Sequence, residues 1–268
     1  MSDKLARPSI QEYWDERYQQ LDINRSGHRD LPLRFNTWLY RRKRDCLQRL
    51  LRRAQFSLAG KRVLELGVGT GVYVADWVRG GAQVTGIDLS ARAVSALQTR
   101  YPEHRFACGD FSDPAFASRL DPPFDLVTAA DVLYYLADDA TWSRTLRTVA
   151  ESLSAGGLFL IIEQFRHGET WERGVITWRN LQAYTDTLHA TGFEIVARVP
   201  VFFTMVQVCD EVPARLCRVL DAAWDWTYPW MQRLPGVMGP LTYAIDSTLG
   251  SVLAEGPSME AMLCRLRR

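Results

Sequence analysis

A short apolar run that leads into closely spaced glycines constrains this chain more than any other feature of its sequence. The run Arg62–Leu66 (RVLEL) precedes Gly67-Val68-Gly69-Thr70-Gly71, and an amphipathic stretch follows. Glycines at alternate positions let the backbone turn tightly and approach a ligand closely, and a helix that starts beyond the turn offers unpaired N–H groups. The pattern predicts a strand, a turn and a helix, with a polar or anionic ligand resting on the turn.

Further apolar runs rich in Val, Ile and Leu alternate with amphipathic stretches along the middle of the chain. This alternation is typical of βαβ units around a buried parallel sheet. Strands are predicted at Arg62–Leu66, Gln83–Asp88, Arg105–Ala107, Phe124–Ala130 and Leu158–Glu163. Helices are predicted at about Val72–Arg79, Ala91–Tyr101 and Asp139–Leu153. We expect Gly156-Gly157 to stop the last of these helices.

The two ends of the chain depart from this rhythm. The pattern predicts helices at Ile10–Leu21, Trp38–Gln55 and about Trp178–Thr191, a long strand at Phe193–Val208 interrupted by Pro200, and a closing strand at Met259–Leu266. About 50 residues rich in Trp, Pro and Gly separate these two strands. A loop of that length without secondary structure is uncommon in a compact domain, so a helical insertion is expected there.

Composition and charge exclude several classes of protein. The chain has 268 residues, of which 47% are hydrophobic and 24% charged, as in ordinary globular proteins. Its net charge of +1 gives no overall field that would favour nucleic acid or an anionic membrane, although a local basic face stays open. The arginine-rich helix Arg41–Arg53 is either such a solvated face or a contact with an anionic substrate group.

The cysteines and the apolar stretches indicate in which cellular compartment the protein is expected. The five cysteines are scattered without metal-ligand spacing, which favours a reducing environment over disulfides or structural zinc. Neither a signal sequence nor a run of about 18 to 20 apolar residues is present. We therefore expect a cytoplasmic protein with no membrane partner and no metal, and the sequence leaves a homodimer open.

An acidic residue follows the second strand, 21 positions after Gly67. A carboxylate such as Asp88 at the tip of the neighbouring strand accepts two ribose hydroxyls in nucleotide-binding α/β folds, so the ligand should contain ribose. Dinucleotide enzymes would require glycine at position 72, where Val72 stands, and this disfavours a nicotinamide reductase.

The glycine turn together with three later landmarks resembles the class I S-adenosylmethionine-dependent methyltransferases. The four motifs are Glu65-x-Gly67-x-Gly69-x-Gly71, Gly109-Asp110-Phe111, Phe124-Asp125-Leu126-Val127 and Leu153-Ser154-Ala155-Gly156-Gly157. The resemblance covers roughly residues 60 to 206. It implies a Rossmann-like, seven-stranded, mostly parallel sheet with helices on both faces and an antiparallel last strand.

The resemblance also implies a division of the chain. We expect an N-terminal helical cap over residues 1–58, an S-adenosylmethionine-binding core over 59–206 and 257–268, and a helical lid over 207–256 that forms part of the acceptor pocket. An N-terminal helix that carries Tyr13 and Trp14 is similar to the leading helix that covers the cofactor in many family members, although rings at this spacing also suit helix packing.

Cofactor roles follow from the resemblance, residue by residue. Gly67, Gly69 and Gly71 would lie under the methionine part, and Glu65 would order that loop or reach the amino group. Asp88 would bind the ribose, and Leu89 would pack on the adenine. The remaining candidates are Asp110 and Phe111 at the adenine amino group, Asp131 at the methionine amino group or the acceptor, Tyr13 above the cofactor, and Arg34, Asn36 and Arg41 at its carboxylate. Asp110 and Phe111 could instead be a turn and a core ring, and Asp131 could be a helix cap.

Catalysis requires mainly alignment, because methyl transfer from a sulfonium is an in-line displacement. A base is needed only where the acceptor carries a proton that must leave. His167 follows the fifth strand at the carboxyl edge of the sheet, and its ordinary pKa suits removal of a hydroxyl proton. Glu163 and Tyr134 or Tyr135 are comparable candidates, and an exposed loop histidine is the alternative for His167.

The acceptor should be selected by parts outside the common core. Phe203 on the strand that leads into the expected lid, Trp226 and Trp230 of the lid, and Tyr135 suit a small apolar or aromatic metabolite of the natural-product type. The rings of the lid could also form only its own core. The alternatives are an RNA or DNA methyltransferase that uses the basic helix and a non-catalytic cofactor-binding relative. A Mg²⁺-dependent catecholate enzyme would need a carboxylate cluster to hold the ion, and the sequence shows no convincing one.

Overall fold

The computed structural model describes residues 10–20, 22, 26–114, 120–211 and 213–267. Seven strands form one sheet: β1 (Arg62–Leu66), β2 (Gln83–Asp88), β3 (Arg105–Cys108), β4 (Phe124–Ala130), β5 (Leu153–Glu163), β8 (Phe193–Phe202) and β9 (Met259–Leu266). Their order is β3-β2-β1-β4-β5-β9-β8. The first five pair in parallel, and β9 runs antiparallel to both of its neighbours. The predicted fold class is confirmed.

Helices cover both faces of the sheet. They are α1 (Ile10–Arg17), α2 (Leu33–Arg53), α3 (Val74–Arg79), α4 (Ala91–Arg100), α5 (Asp139–Ser152), α6 (Leu181–Ala190), α7 (Ala214–Arg233) and α8 (Pro235–Val252). One buried cluster joins α2, α3 and α7 to Val63, Leu126 and Leu160 of the sheet. The other joins α5 and α6 to the intervening residues of the same strands, which include Leu64 and Val127. Successive strand residues therefore serve opposite cores, as expected for a sheet buried on both faces.

Several boundaries differ from the sequence prediction. β5 begins at Leu153, directly after α5, and Gly156 adopts a positive φ of 71° inside the strand. The glycine pair therefore lies within the strand, where we expected a helix stop. A two-stranded hairpin, β6 (Trp171–Arg173) and β7 (Ile176–Trp178), precedes α6. The pattern did not predict this hairpin, because strands of three residues are too short to show alternation.

The expected long strand ends early, at Phe202. Pro200 pairs with Glu260 of β9. Proline lacks an N–H, and its carbonyl accepts a hydrogen bond from Arg42 of α2 at 3.2 Å, so the edge of β8 is covered by a side chain.

The N-terminal helices and the insertion pack together. Predicted helices over Ile10–Leu21 and Trp38–Gln55 correspond to α1 and α2, while Leu21 lies outside the described residues. In the 207–256 region α7 and α8 are helical, and α8 packs on α2 and β8. Buried Arg42 links these parts, since it donates to the carbonyls of Val201 and Asp246 at 3.0 and 3.1 Å. None of the described helices is long and apolar enough to cross a bilayer.

Candidate functional site

A cavity of about 270 Å³ lies at the carboxyl ends of β1, β2 and β4. This is the edge where ligands bind in open α/β sheets, and the volume is close to the lower end of small-molecule sites, about 300 Å³. Its described lining comes from the glycine turn, the ends of β2 and β4, α1, α2 and the 3₁₀ turn Leu133–Tyr135. The sequence-predicted residues on this lining are Gly67, Gly69, Asp88, Leu89, Asp110, Phe111, Asp131, Tyr134 and Tyr135.

The glycine turn forms the floor of the cavity. Gly67 and Gly69 have positive φ values of 70° and 50°. A Cβ at Gly67 would lie 2.3 Å from a methyl of Val132, and one at Gly69 would lie 2.8 Å from the Tyr18 hydroxyl. Gly71 is outside the lining, and a Cβ there would meet Leu97 at 2.4 Å. The first two glycines are therefore required at the cavity, and the third is required by helix packing.

Two carboxylates follow neighbouring strands at one end of the cavity. Asp88 accepts the backbone N–H groups of Gly69 at 2.8 Å and Ser90 at 2.9 Å, and burial raises its pKa. Asp110 accepts from the Ser112 N–H at 2.8 Å, which holds its carboxylate in a turn. Leu89 and Phe111 follow these acids directly and present apolar surface to the same space.

A partly buried ion pair lies at the end of β4. Asp131 has a positive φ of 59°, which is uncommon for a residue with a side chain and often marks a functional site. Its Oδ2 accepts from Nζ of Lys43 at 2.5 Å, and the lysine is buried in α2. Asp131 reaches the cavity, whereas Lys43 lies behind it.

Aromatic rings form another part of the cavity lining. The ring of Trp14 in α1 stacks on Tyr18 at 5.1 Å and meets Tyr135 edge-on at 6.0 Å. Tyr135 in turn contacts Tyr134 at 4.5 Å between ring centroids. Burial raises the pKa of both of these tyrosines, so they stay protonated at neutral pH and can donate hydrogen bonds.

Tyr13, the other predicted ring of α1, lies outside the lining. It meets Trp14 edge-on and receives a hydrogen bond from Arg17 at 3.3 Å. These contacts support the helix-packing alternative for Tyr13.

The two predicted glutamates are buried below the cavity, outside its lining. Glu65 accepts from the Trp77 indole N–H at 2.7 Å, a contact that ties β1 to α3. Glu163 accepts the backbone N–H groups of Val132 and Leu133 at 3.0 and 2.8 Å. Burial raises the pKa of each to about 8. Their contacts are those of groups that hold the lining in place, and a role of Glu163 as base stays a prediction.

His167 lies away from the cavity, in a cluster of charged side chains. Its Nδ1 is 2.6 Å from Oδ2 of Asp210, and its Nε2 is 3.2 Å from Arg198. Arg198 also donates to buried Glu260 at 2.6 Å. The hydrogen bond with Asp210 raises the pKa of His167. The structure therefore places this histidine where it ties the start of the insertion to β8 and β9, and the general-base role stays a prediction.

The three predicted acceptor contacts beyond position 200 are also outside the lining. Phe203 is fully buried in the core, and its N–H donates to Asp246 at 3.0 Å. Trp226 and Trp230 of α7 are 73% and 42% exposed. No described residue of 207–256 lines the cavity, and α8 packs on α2.

Sequence reasoning missed several polar groups of the site, among them Tyr18, Ser26, Tyr40 and Tyr73. The Tyr73 hydroxyl is buried and has no hydrogen-bond partner among the described residues, so it is available to a ligand. A signal existed for Tyr40, because Asn36, Tyr40 and Lys43 recur at helical spacing on the apolar face of α2, and all three are buried.

This donor set fits an adenosine-containing cofactor. Asp88 would hold the two ribose hydroxyls, Asp110 would accept from the adenine amino group, and Leu89 and Phe111 would flank the ring. The close-packed glycines leave the backbone free to approach the remainder of the molecule, and the unpartnered hydroxyl of Tyr73 lies on that side. Among the described residues no group of three or more metal-ligating side chains occurs.

Comparisons with known proteins agree with this donor set. A family model described as "Methyltransferase domain" matches residues 38–198. A ubiquinone biosynthesis O-methyltransferase from Aromatoleum aromaticum is 35% identical over 106 residues, which are 37% of this chain and 42% of that protein. A magnesium-protoporphyrin O-methyltransferase from Rhodobacter capsulatus is 34% identical over 96 residues, covering 34% and 41%. This chain thus spans about two fifths of these curated relatives.

Solved structures share the architecture. An S-adenosylmethionine-dependent methyltransferase from Clostridium acetobutylicum matches with a TM-score of 0.55 and 14% identity, covering 85% of this chain and 92% of that one. Magnesium protoporphyrin IX methyltransferase from Synechocystis with bound S-adenosylmethionine matches with a TM-score of 0.53 and 17% identity, covering 72% and 90%. At these identities the likeness shows the fold.

Proposed function

This chain belongs to the methyltransferase domain family, and from that premise we propose that it transfers a methyl group from S-adenosylmethionine to a small apolar or aromatic metabolite. One observation carries the proposal. A single cavity joins the glycine turn and the two acids, Asp88 and Asp110, to a wall of aromatic rings. The acids suit adenosine, and the rings suit a flat apolar acceptor.

The chemistry asks little of the protein beyond alignment. In an in-line displacement the acceptor atom attacks the methyl carbon as the bond to sulfur breaks, and closeness and orientation supply most of the rate. The cofactor supplies the activated methyl group. The protein residues hold the two molecules end to end: the turn and Asp88 fix one, and Trp14 and Tyr135 confine the other while excluding water.

Asp131 is the carboxylate that we assign to the junction between these two parts. Lys43 behind it balances its charge and fixes its position, so that it can accept a hydrogen bond from the cofactor's amino group or from an acceptor hydroxyl. Tyr134 and Tyr135 serve as hydrogen-bond donors, since burial keeps them protonated. The relatives' names, which specify O-methyltransferases, favour a hydroxyl oxygen as the methyl acceptor.

The test is transfer of labelled methyl from S-adenosylmethionine to a panel of small phenols, with bulk tRNA and protein as comparison acceptors. We expect label on small molecules only. Tyr135→Ala should raise the acceptor KM about tenfold and change the Kd of S-adenosylhomocysteine less than twofold, because a lost ring contact removes about 1 kcal/mol or more. Trp226→Ala is the matched control, since this exposed ring is outside the lining.

Three results would contradict the proposal. Label on tRNA or protein alone would assign a macromolecular acceptor. Tight binding of S-adenosylhomocysteine without transfer to any acceptor would indicate a non-catalytic relative. An equal effect of Tyr135→Ala and Trp226→Ala on the acceptor KM would indicate that the insertion forms part of the acceptor site.

A further inference from the structure

Several of the described residues on the cavity lining are acidic. Carboxylates lie there at Asp88, Asp110, Asp131 and Asp138. None of the lining residues that the structure describes is Lys, Arg or His. Arg34 and Arg41, which we expected at the cofactor carboxylate, lie outside the lining and contact α8 at Gly236 and Tyr243. An anionic group of an acceptor would therefore be buried among like charges, which is unfavourable.

Asp131 has one carboxylate oxygen to spare for a ligand. Its Oδ2 accepts from Nζ of Lys43 at 2.5 Å, whereas its Oδ1 has no hydrogen-bond partner among the described residues. The Asp131 side chain is 22% exposed and belongs to the lining, to which Lys43 does not belong. Strand β1 lies between β2 and β4, so roughly 10 Å, two strand spacings, separate Asp131 from Asp88. The spare oxygen is thus distant from the ribose position.

Tyrosine rings accompany this carboxylate on the lining. Tyr40 meets Tyr73 edge-on at 5.9 Å, and Tyr134 contacts Tyr135 at 4.5 Å between ring centroids. Burial and then the charge of Asp131 raise the pKa of Tyr40 and of Tyr73, so both rings lie within reach of that charge. Tyr73 is only 7% exposed, and its hydroxyl has no partner among the described residues. Because an unpaired buried hydroxyl is costly, a polar ligand atom is expected beside it.

Lys43 does not cancel the negative charge of Asp131. Glu163, buried below the cavity, is affected by both groups. Burial and then Asp131 raise the pKa of Glu163, and the opposing effect of Lys43 is smaller than that of Asp131. The negative charge therefore prevails around this carboxylate, and a cation is the ligand group that it favours.

We propose that the methyl acceptor carries a basic amino group, which Asp131 and the hydroxyl of Tyr73 bind as an ammonium ion. This inference rests on the proposed methyl transfer and narrows its acceptor to an aromatic molecule with an amino side chain. The ammonium donates to Oδ1 of Asp131 and to the Tyr73 oxygen, and the tyrosine rings attract its charge. The atom that takes the methyl group remains a hydroxyl oxygen of the same molecule.

The experiment compares three phenols of similar shape and different charge. Tyramine is a cation, 4-propylphenol is neutral and 4-hydroxyphenylacetate is an anion. Each is titrated by calorimetry into the full chain saturated with S-adenosylhomocysteine. We expect tyramine to bind roughly tenfold more tightly than 4-propylphenol and about a hundredfold more tightly than 4-hydroxyphenylacetate. This series uses the wild-type chain and depends on no variant.

Two variants assign the preference to its residues. Asp131→Asn should raise the Kd of tyramine roughly 10- to 100-fold, because a hydrogen bond to a charged group is lost, and change that of 4-propylphenol less than about threefold. Tyr73→Phe should raise the Kd of tyramine about fivefold. Neither variant should change the Kd of S-adenosylhomocysteine by more than about twofold.

Matched controls change the same residue types outside the lining. Asp125 pairs with Lys61 at 3.0 Å near the start of β4, and Tyr184 is a buried tyrosine of α6. Asp125→Asn and Tyr184→Phe should bind tyramine as the wild type does.

Four results would overturn the inference: no binding of tyramine, affinities that do not favour tyramine over the other two phenols, equal losses in the control variants, or an equal rise in the Kd of S-adenosylhomocysteine in Asp131→Asn. The last would assign the carboxylate to the amino group of the cofactor. Failure of the proposed function looks different, because no phenol would then accept labelled methyl whatever the order of the three affinities.

Discussion

Buried carboxylates illustrate how residue type alone misleads about a site. Glu65 and Glu163 stand at positions where an acid could act on a substrate, yet each accepts protein N–H groups and lies outside the cavity lining. The place of Asp88 and Asp110 at the cavity could be predicted from sequence because the strand ends that carry them are fixed by the fold, and their contacts with a cofactor stay predictions. The pairing of Lys43 with Asp131 could not, since 88 residues separate them along the chain.

The raised pKa of Glu163 predicts that the stability of the folded protein depends on pH. Its pKa is about 8 in the folded protein, above its ordinary value of 4.5, so the unfolded chain loses this proton first as pH rises. Stability attributable to this group therefore falls between about pH 4.5 and pH 8. Glu163→Gln keeps an oxygen that can accept the two N–H groups, and its melting temperature relative to wild type should rise steadily from pH 5 to pH 8.

The control is Glu172→Gln, an exposed position on β6, which should leave the pH profile unchanged. Turnover of Glu163→Gln at saturating cofactor separates the two roles of this residue. Retained turnover fits a positioning role, and a hundredfold loss with an intact melting profile would identify Glu163 as the base.

Asp88 should be required for cofactor binding. Replacement by Asn removes the charge and one accepting oxygen while keeping the shape, and a hydrogen bond to a charged group contributes about 1.5 to 3 kcal/mol. We therefore expect Asp88→Asn to raise the Kd of S-adenosylhomocysteine roughly 10- to 100-fold in isothermal titration calorimetry. Asp138→Asn, at a helix cap on the rim of the same cavity, should change it little, and equal losses would remove Asp88 from the ribose site.

At the scale of elements, periodic segments were predictable and short or irregular ones were not. β1, β2 and β4 have the predicted bounds because each is a buried apolar run bounded by turn residues. The hairpin β6–β7 and the early end of β8 depend on tertiary contacts, such as the cover that Arg42 gives to Pro200. α7 and α8 lie within the stretch where a helical insertion was expected, but the packing of α8 on α2 could not be read from its own residues.

The hydrogen bond between His167 and Asp210 predicts that the stability this pair contributes depends on pH. The folded-state pKa of His167 is raised, so the stability from this pair is fully present below the ordinary pKa of about 6.5 and is lost as pH rises through the folded value. His167→Asn should therefore lower the melting temperature more at pH 5.5 than at pH 8.5. His189→Asn, an exposed position at the end of α6, is the control.

A pH-independent effect of His167→Asn would show that the charge of this pair contributes nothing to stability. The same variant also tests the predicted general base. Unchanged turnover at saturating cofactor would leave His167 with the structural role alone.

For the whole molecule, a ligand that binds only the folded state must raise its melting temperature by mass action. At a concentration a hundred times its Kd, S-adenosylhomocysteine contributes about 2.7 kcal/mol, which corresponds to roughly 5 to 10 °C for a chain of this size. NADH at the same concentration should give no shift. A shift with NADH that equals or exceeds that with S-adenosylhomocysteine would contradict the assignment made from Val72 and the glycine turn.

The position of β9 in the sheet has a consequence for how the protein is made. β9 lies between β5 and β8, although it is synthesised after every other described strand. Until β9 leaves the ribosome, β8 has no partner in the sheet. The carbonyl of Val201 in β8, which accepts a hydrogen bond from the buried guanidinium of Arg42, is then not yet fixed in place. The nascent chain can form the parallel half of the sheet early, whereas α2, which contributes Tyr40 to the ligand cavity, must wait together with α8 and β8. Protection from proteases should therefore reach that half of a stalled chain first.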